Sequence, residues 1–165
     1  MCGAGCAGAH AEIVKLAGVL NAPIVHSLRG KEHVEYDNPF DVGMTGLIGF
    51  ASGYAAMKAC DTLLLLGCDF PYRQFYPEGA TVAQVDIRAE SLGNPWHLGL
   101  GVVGDVLTTV NGLLPKLKKK TGRKFLDAAR AHYAKAREDL DKLAEGKPGG
   151  KVIHPQYVAR LLSEL

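Results

Sequence analysis

Apolar positions along this chain change spacing several times, and each change marks the end of one element and the start of another. From Ala9 to Leu20 the apolar residues Ile13, Leu16, Ala17 and Leu20 share one helical face, and Asn21-Ala22-Pro23 stops the helix. Ile24-Val25-His26 reads as a short buried strand. Ser27 to Val42 carries Gly, Pro, Asp and Asn with little periodicity, which predicts a long loop of the kind that tends to be functional. Thr45 is placed as the N-cap of a helix from Gly46 to about Lys58. Gly46, Gly49 and Gly53 on that segment imply close approach by a neighbouring element or a ligand. The run Leu63-Leu64-Leu65-Leu66, between Asp61-Thr62 and Gly67, is that of a strand buried on both faces of a parallel sheet. Val82 to Ile87 is the next strand, and the glycine-rich Leu98 to Val103 is another, nearer an edge. Gly104-Asp105 caps a helix bearing Val106, Leu107, Val110, Leu113, Leu114 and Leu117, which Pro115 should kink or shorten. Phe125 to Leu143 is a long amphipathic helix. Glu145 to Gly150 reads as a linker, and Ile153-His154-Pro155 opens a last helix running to Leu165. Its stripe of Tyr157, Leu161, Leu162 and Leu165 calls for a partner.

Strands alternating with helices predict an α/β, three-layer Rossmann-like fold: an open, mostly parallel sheet with helices on both faces. In such sheets ligands bind beyond the C-terminal strand ends. The segments that follow strands are Cys2 to Gly8, Ser27 to Gly30, Gly67 to Arg73, Asp86 to Arg88 and Gly104 to Val106, and together they form the candidate site. The first contains Gly3-Ala4-Gly5-Cys6-Ala7-Gly8, which has the spacing of a dinucleotide-binding glycine loop. Only Met1 and Cys2 precede it, so most of the expected first strand is missing and the chain is read as a piece of a longer protein. A dinucleotide fingerprint also wants an acid roughly 20 positions on. Val25, His26 and Ser27 stand there instead, which counts against a standard NAD-type reading.

Composition narrows the function. The 165 residues are 47% hydrophobic and 22% charged with net charge +2, a core large enough for one domain and no field for nucleic acid. The cluster Lys116, Lys118, Lys119, Lys120, Arg123, Lys124 fits a solvated helix end. No apolar run reaches the roughly 20 residues of a spanning helix. No signal-peptide pattern opens the chain, and a cytoplasmic, reduced setting is expected. Cys2, Cys6, Cys60 and Cys68 lack Cys-x-x-Cys spacing, so no structural zinc site or other metal site is expected.

No catalytic set emerges. The histidines are scattered, Ala51-Ser52-Gly53 is not a nucleophile elbow, and no Walker-type loop is present. Three residues carry two readings each. Asp86 ends its strand, where it can accept ribose hydroxyls or close a turn. Asp105 holds a similar position, with helix capping its simpler role. Arg73, after Gly67-Cys68-Asp69-Phe70-Pro71-Tyr72, can pair with a phosphate or with a surface carboxylate.

Taken together, these segments resemble the middle domain of the thiamine-diphosphate-dependent enzymes, most of all those of the pyruvate oxidase type, also called pyruvate dehydrogenase (quinone). The resemblance is carried by Cys2 to His10, Ala22 to His26, Leu28-Arg29-Gly30-Lys31-Glu32-His33-Val34-Glu35-Tyr36-Asp37-Asn38-Pro39, Val42 to Phe50, Phe70-Pro71-Tyr72-Arg73, Val85-Asp86-Ile87 and Arg123 to Leu126. Ile153 to Tyr157 looks like the entrance to that family's thiamine domain.

The resemblance implies a central FAD-binding domain over residues 1–145, a linker over 146–152 and the start of a C-terminal thiamine diphosphate domain over 153–165. It implies FAD held in an extended pose. Gly3, Gly5 and Cys6 would supply the glycine loop, and Thr45, Gly46, Leu47 and Ile48 the flavin contacts. Gly67, Cys68, Asp69, Phe70, Pro71, Tyr72 and Arg73 would line the phosphates and ribityl chain. Asp86, Ile87 and Arg88 would hold the ribose, and Gly104, Asp105 and Val106 the adenine. The helix glycines after Thr45 would leave room for the flavin. Thiamine diphosphate and Mg²⁺ would sit outside this chain, which would be inactive alone. Partners would be the other domains of the polypeptide in a homotetramer, with membrane contact only through a C-terminal tail. The implied reaction is oxidative decarboxylation of pyruvate, with electrons passing to quinone or oxygen. Two other readings stay open: a middle domain of an acetolactate-synthase-like enzyme or decarboxylase, with a structural or lost nucleotide, and a NAD-binding protein of a related fold such as a sirtuin.

Overall fold

The computed structural model describes residues 1–94, 96–146 and 152–165. It is an α/β fold in which every strand pairing is parallel. Strand β1 (Ile24–His26) pairs with β2 (Asp41–Met44), and β3 (Thr62–Leu66), β4 (Thr81–Asp86) and β5 (Leu100–Val103) pair in that order. The N-terminal residues join the two groups. On one side the Met1 amino group donates to Leu64 O at 2.6 Å, Leu66 N to Met1 O at 2.9 Å and Gly3 N to Leu66 O at 3.0 Å. On the other, Cys2 N donates to Val25 O at 2.8 Å and Ser27 N to Cys2 O at 3.0 Å. Met1–Gly3 therefore does the work of a strand between β1 and β3, and the spatial order is β2-β1-(Met1–Gly3)-β3-β4-β5.

Alternation along the strands builds two cores. Val25, Leu63, Leu65 and Val82 face one way, onto Ala56 and Met57 of α3 (Ala51–Ala59) and Ala129 of α5 (Lys124–Leu143). Ile24, Leu66 and Val85 face the other way, onto Ile13, Leu16 and Ala17 of α1 (His10–Leu20) and Val106 and Val110 of α4 (Val106–Leu113). This is the three-layer arrangement the pattern predicts. No helix among the described residues is long and apolar enough to cross a membrane.

Several boundaries differ from the sequence expectation. The long loop contains a 3₁₀ turn, Leu28–Gly30, then the short helix α2 (Lys31–Val34) and the first two residues of β2, which runs on to Met44. Strand β2 is broken in pattern by Asp41 and Gly43, so it has no alternation to read. The helix expected from Gly46 begins at Ala51, because Gly46 has φ +111°, outside helical space. Thr45 is accordingly no N-cap but the first residue after β2. Only Gly53 of the three glycines lies in the helix, and a methyl there would collide with Met44 O, while one on Gly49 would lie 2.7 Å from the same oxygen. These two glycines admit β2, not a ligand. Strand β5 begins at Leu100, two residues later than expected, and Ile87 lies beyond β4. Pro115 does shorten α4, which passes into the 3₁₀ turn Leu114–Lys116. The last helix, α6, spans Pro155–Ser163, and most of the expected linker lies outside the described residues.

The first loop and the loop after β3 are pressed together. Gly5 N donates to Gly67 O at 2.9 Å, and a methyl on Gly5 would sit 2.6 Å from Gly67 Cα. Gly67 itself has φ +52°, and its own added methyl would collide with Gly5 Cα. The substitution Gly67→Ala therefore combines a left-handed backbone with overpacking, and is expected to lower unfolding free energy by about 3 kcal/mol in a urea titration.

Candidate functional site

Because the sheet is parallel, the segments after each strand emerge at one edge, and contacts tie them together. The Ala4–Cys6 turn is the innermost. A methyl on Gly3 would collide with Gly67 O, so Gly3 and Gly5 are small because the neighbouring loop passes over them. Cys6 is fully buried and its thiol donates to Leu66 O at 3.2 Å. Contact with the Cys2 thiol and burial push the Cys6 thiol up. Gly30 is buried against Cys2 and Gly3, and Tyr36 stacks on His10 at 4.1 Å beside the first turn of α1. The glycine loop and the start of α1 are thus flanked by the chain's own Leu28–Tyr36 segment.

After β2, Thr45 N donates to His26 O at 3.0 Å. Thr45 is 3% exposed, yet its Oγ1 has no hydrogen-bond partner among the described residues. Gly46 faces the Phe70 ring, 3.4 Å from where a methyl would stand. Leu47 and Ile48 beside it are 71% and 64% exposed, an apolar surface at the rim.

After β3, Cys68 and Phe70 are buried, and burial pushes the Cys68 thiol up to about 12. Phe70 sits in a cluster with Tyr72, Phe75 and Tyr76, and Tyr76 donates its hydroxyl to Phe70 O at 2.9 Å. Pro71 and Asp69 are exposed. Arg73 places its guanidinium 6.0 Å from the Trp96 ring centroid, a cation–π contact.

After β4, Asp86 is buried and accepts from Arg88 N at 2.9 Å through Oδ1, so it closes a turn. Arg88 reaches back to Asp69 at 3.7 Å, which links this tip to the previous one. Ile87 is 72% exposed. Gly104 N donates to Asp86 O at 2.9 Å, which brings in the tip of β5. Asp105 caps α4, accepting from Thr108 N at 2.8 Å, and Val106 is buried beneath it. The candidate residues therefore lie along one continuous edge from Thr45 through Phe70 and Asp86 to Gly104.

Sequence reasoning passed over Gln84. It is buried within β4 and binds Cys68 O at 3.3 Å, Ser91 O at 3.0 Å and Gly93 N at 3.0 Å, holding two tips in place. A lone amide in an apolar strand was its signal. At the opposite edge, where the strands begin, lies a separate apolar cavity of about 450 Å³ lined by Met1, Ile24, Ala56, Leu63 and Phe125.

Comparison with known proteins bears on this edge. Residues 1–113 match the family model for the central domain of thiamine pyrophosphate enzymes. The chain is 67% identical over 143 residues to an uncharacterized 42.6 kDa protein of Pseudomonas amyloderamosa, covering 87% of this chain and 36% of that one. It is 30% identical over 164 residues to YdaP of Bacillus subtilis (strain 168), whose name connects it with thiamine pyrophosphate, covering 99% and 28%. It is 33% identical over 121 residues to the acetolactate synthase large subunit of Porphyra purpurea, covering 70% and 20%. The chain spans about a third or less of these curated relatives.

The Asp105 cap has a pH signature. Hydrogen bonds from the backbone and side chain of Thr108 hold its carboxyl below the ordinary 3.8. A lowered folded-state value means the stabilisation is present above 3.8 and is lost as pH falls through the folded value. Asp105→Asn keeps a capping oxygen but removes this titration, so the variant's acid-unfolding profile should be flatter below pH 4 in circular dichroism melts.

Proposed function

The chain belongs to the family of thiamine pyrophosphate enzyme central domains, and from that membership we propose that it holds FAD along its strand-tip edge for a thiamine-diphosphate-dependent enzyme acting on pyruvate or a kindred 2-oxo acid. The observation that supports this reading is the buried hydroxyl of Thr45. Buried polar atoms nearly always find a partner, and this one has none among the described residues. It stands beside Gly46 and Phe70, on the edge where parallel sheets take ligands.

On this proposal Thr45 to Ile48 meet the flavin, with exposed Leu47 and Ile48 giving an apolar surface for a flat ring. Gly67 to Arg73 follow the phosphates, and Asp86 to Arg88 the ribose. Asp86 accepts one turn hydrogen bond and keeps further acceptor capacity for a ribose hydroxyl. Gly104 to Val106 border the adenine. The bound flavin supplies two-electron chemistry in an oxidase and a structural element in a carboligase. The chain's own residues bind and orient it; none is assigned a catalytic role. The thiamine site and its Mg²⁺ belong, on this reading, to the rest of the polypeptide.

The names of the relatives favour an acetolactate-synthase-like parent, since matches from Porphyra purpurea and Cyanidium caldarium carry that name at 33% and 27% identity. The second reading is oxidative decarboxylation of pyruvate, favoured by the long motif Leu28 to Pro39 and by Phe70 to Arg73. A visible spectrum of the full polypeptide separates them. Bound oxidised flavin that bleaches on adding pyruvate supports the oxidase, and flavin that keeps its colour while two pyruvates condense supports the synthase. A polypeptide that retains no flavin with all its domains present overturns the proposal.

Thr45→Val tests the edge itself. The replacement is close in shape and removes a hydroxyl that lacks a partner, so the melting temperature without FAD should hold or rise. FAD affinity should fall about fivefold, the equivalent of one ordinary hydrogen bond, as read by flavin fluorescence titration.

A further inference from the structure

Three ligating side chains outside the strand-tip edge converge on one point. His26 ends β1, Asp41 begins β2, and Glu35 follows α2. The His26 Nε2 atom lies 3.3 Å from Glu35 Oε2 and 3.3 Å from Asp41 Oδ1. His26 is fully buried, the Asp41 side chain is 4% exposed, and Glu35 is 35% exposed. All the ligating atoms fall within 4.8 Å of one another.

The hydrogen-bond inventory of this cluster is incomplete. His26 Nδ1 faces the carbonyl oxygen of Ser27 at 3.3 Å. A carbonyl only accepts, so Nδ1 carries a proton and Nε2 is the ring atom turned toward the two carboxylates. Neither 3.3 Å contact has hydrogen-bond alignment, and Nε2 and both Asp41 oxygens lack hydrogen-bond partners among the described residues. Neighbouring groups do not fill the gap. Lys31 Nζ pairs with Glu35 through the other oxygen, Oε1. The Tyr133 hydroxyl, pushed up to about 12 by burial and then by the Asp41 charge, also approaches Asp41, yet both Asp41 oxygens stay without a partner in hydrogen-bond geometry. Burying an unpartnered carboxylate is costly unless a cation meets it.

We propose that His26, Asp41 and Glu35 form a binding site for a divalent transition cation, of the zinc class. Three features fit. Donor atoms 2.0–2.1 Å from a tetrahedral centre are separated by about 3.3 Å, the spacing found on both sides of Nε2. A metal-bound imidazole characteristically donates its other N–H to a carbonyl or carboxylate, the role Ser27 O plays here. The half-exposed Glu35 opens onto a shallow depression lined by Leu28, Lys31, Glu32 and Tyr36, which leaves room for a water as the remaining ligand. The bound ion would pin β1, β2 and the turn after α2 together. Since His26 O accepts from Thr45 N at 3.0 Å, it would also fix the residue at the head of the strand-tip edge. The site stands independently of the FAD reading.

The test uses Zn²⁺ and Co²⁺ with the protein first stripped by chelator. Calorimetry with Zn²⁺ should show one equivalent bound and a raised melting temperature. Co²⁺ should give a four-coordinate visible spectrum without thiolate charge-transfer bands. Glu35→Gln, at the solvent end of the cluster, should weaken Zn²⁺ binding at least tenfold while its circular dichroism stays that of the parent. Asp41→Asn should abolish binding. The proposal is overturned by no stoichiometric uptake, by binding that Glu35→Gln leaves unchanged, or by a thiolate band, which would assign the ion to the cysteines.

Discussion

Everything at the candidate edge depends on the two-sided hydrogen bonding of Met1–Gly3. Strands β1 and β2 carry Thr45, whereas β3, β4 and β5 carry Phe70, Asp86 and Gly104. Among the described residues the two groups of strands share no direct pairing, and their backbones are bridged by these three residues, which bond Leu64 and Leu66 on one side and Val25 and Ser27 on the other. A shift of register on either side would slide Thr45 away from Phe70. The seam is shielded by side chains of both cores, Met1 in one and Cys2 in the other, so the same residues fix register and fill space.

That seam also explains why the glycine loop looks like a phosphate cradle in the sequence and serves first as packing in the fold. The chain leaves the seam at Gly3 and must turn while the loop after β3 turns beside it. Gly3, Gly5 and Gly67 meet backbone to backbone, with no space for a methyl on any of them. Leu28 to Tyr36 then crosses the same corner, with Gly30 against Cys2.

What could be read in advance follows from where burial is continuous. Strands β3 and β4 are apolar on both faces because helices cover both, and α5 shows an unbroken stripe because one side faces water. These were legible. Strand β2 was not, since Asp41 serves the His26 cluster and Gly43 admits Phe50 and Tyr133, leaving one apolar residue, Val42, fully inside. The start of α3 was misplaced for a related reason: Gly46 takes a positive φ that no composition rule reveals. The five strand-end segments were legible as a set because parallel topology alone puts them on one side. The individual contacts were not. Arg73 finds Trp96, more than twenty residues on, and Asp69 finds Arg88.

Buried polar side chains divide this molecule's architecture from its sites. Gln84 is as deeply buried as Thr45, but its amide is satisfied three times over, and it explains the conformation of the loops it holds. Ser52 likewise spends its hydroxyl on Val42 O at 2.9 Å. Thr45, His26 and Asp41 are also deeply buried, yet each keeps a polar side-chain atom without a partner among the described residues. Within one small fold, with cores packed by the same helices, the difference is not poor packing. The satisfied groups need nothing beyond the chain, whereas Thr45 and His26 stand at the C-terminal ends of β2 and β1, where a parallel sheet exposes its binding surface, and Asp41 at the start of β2 faces the same histidine.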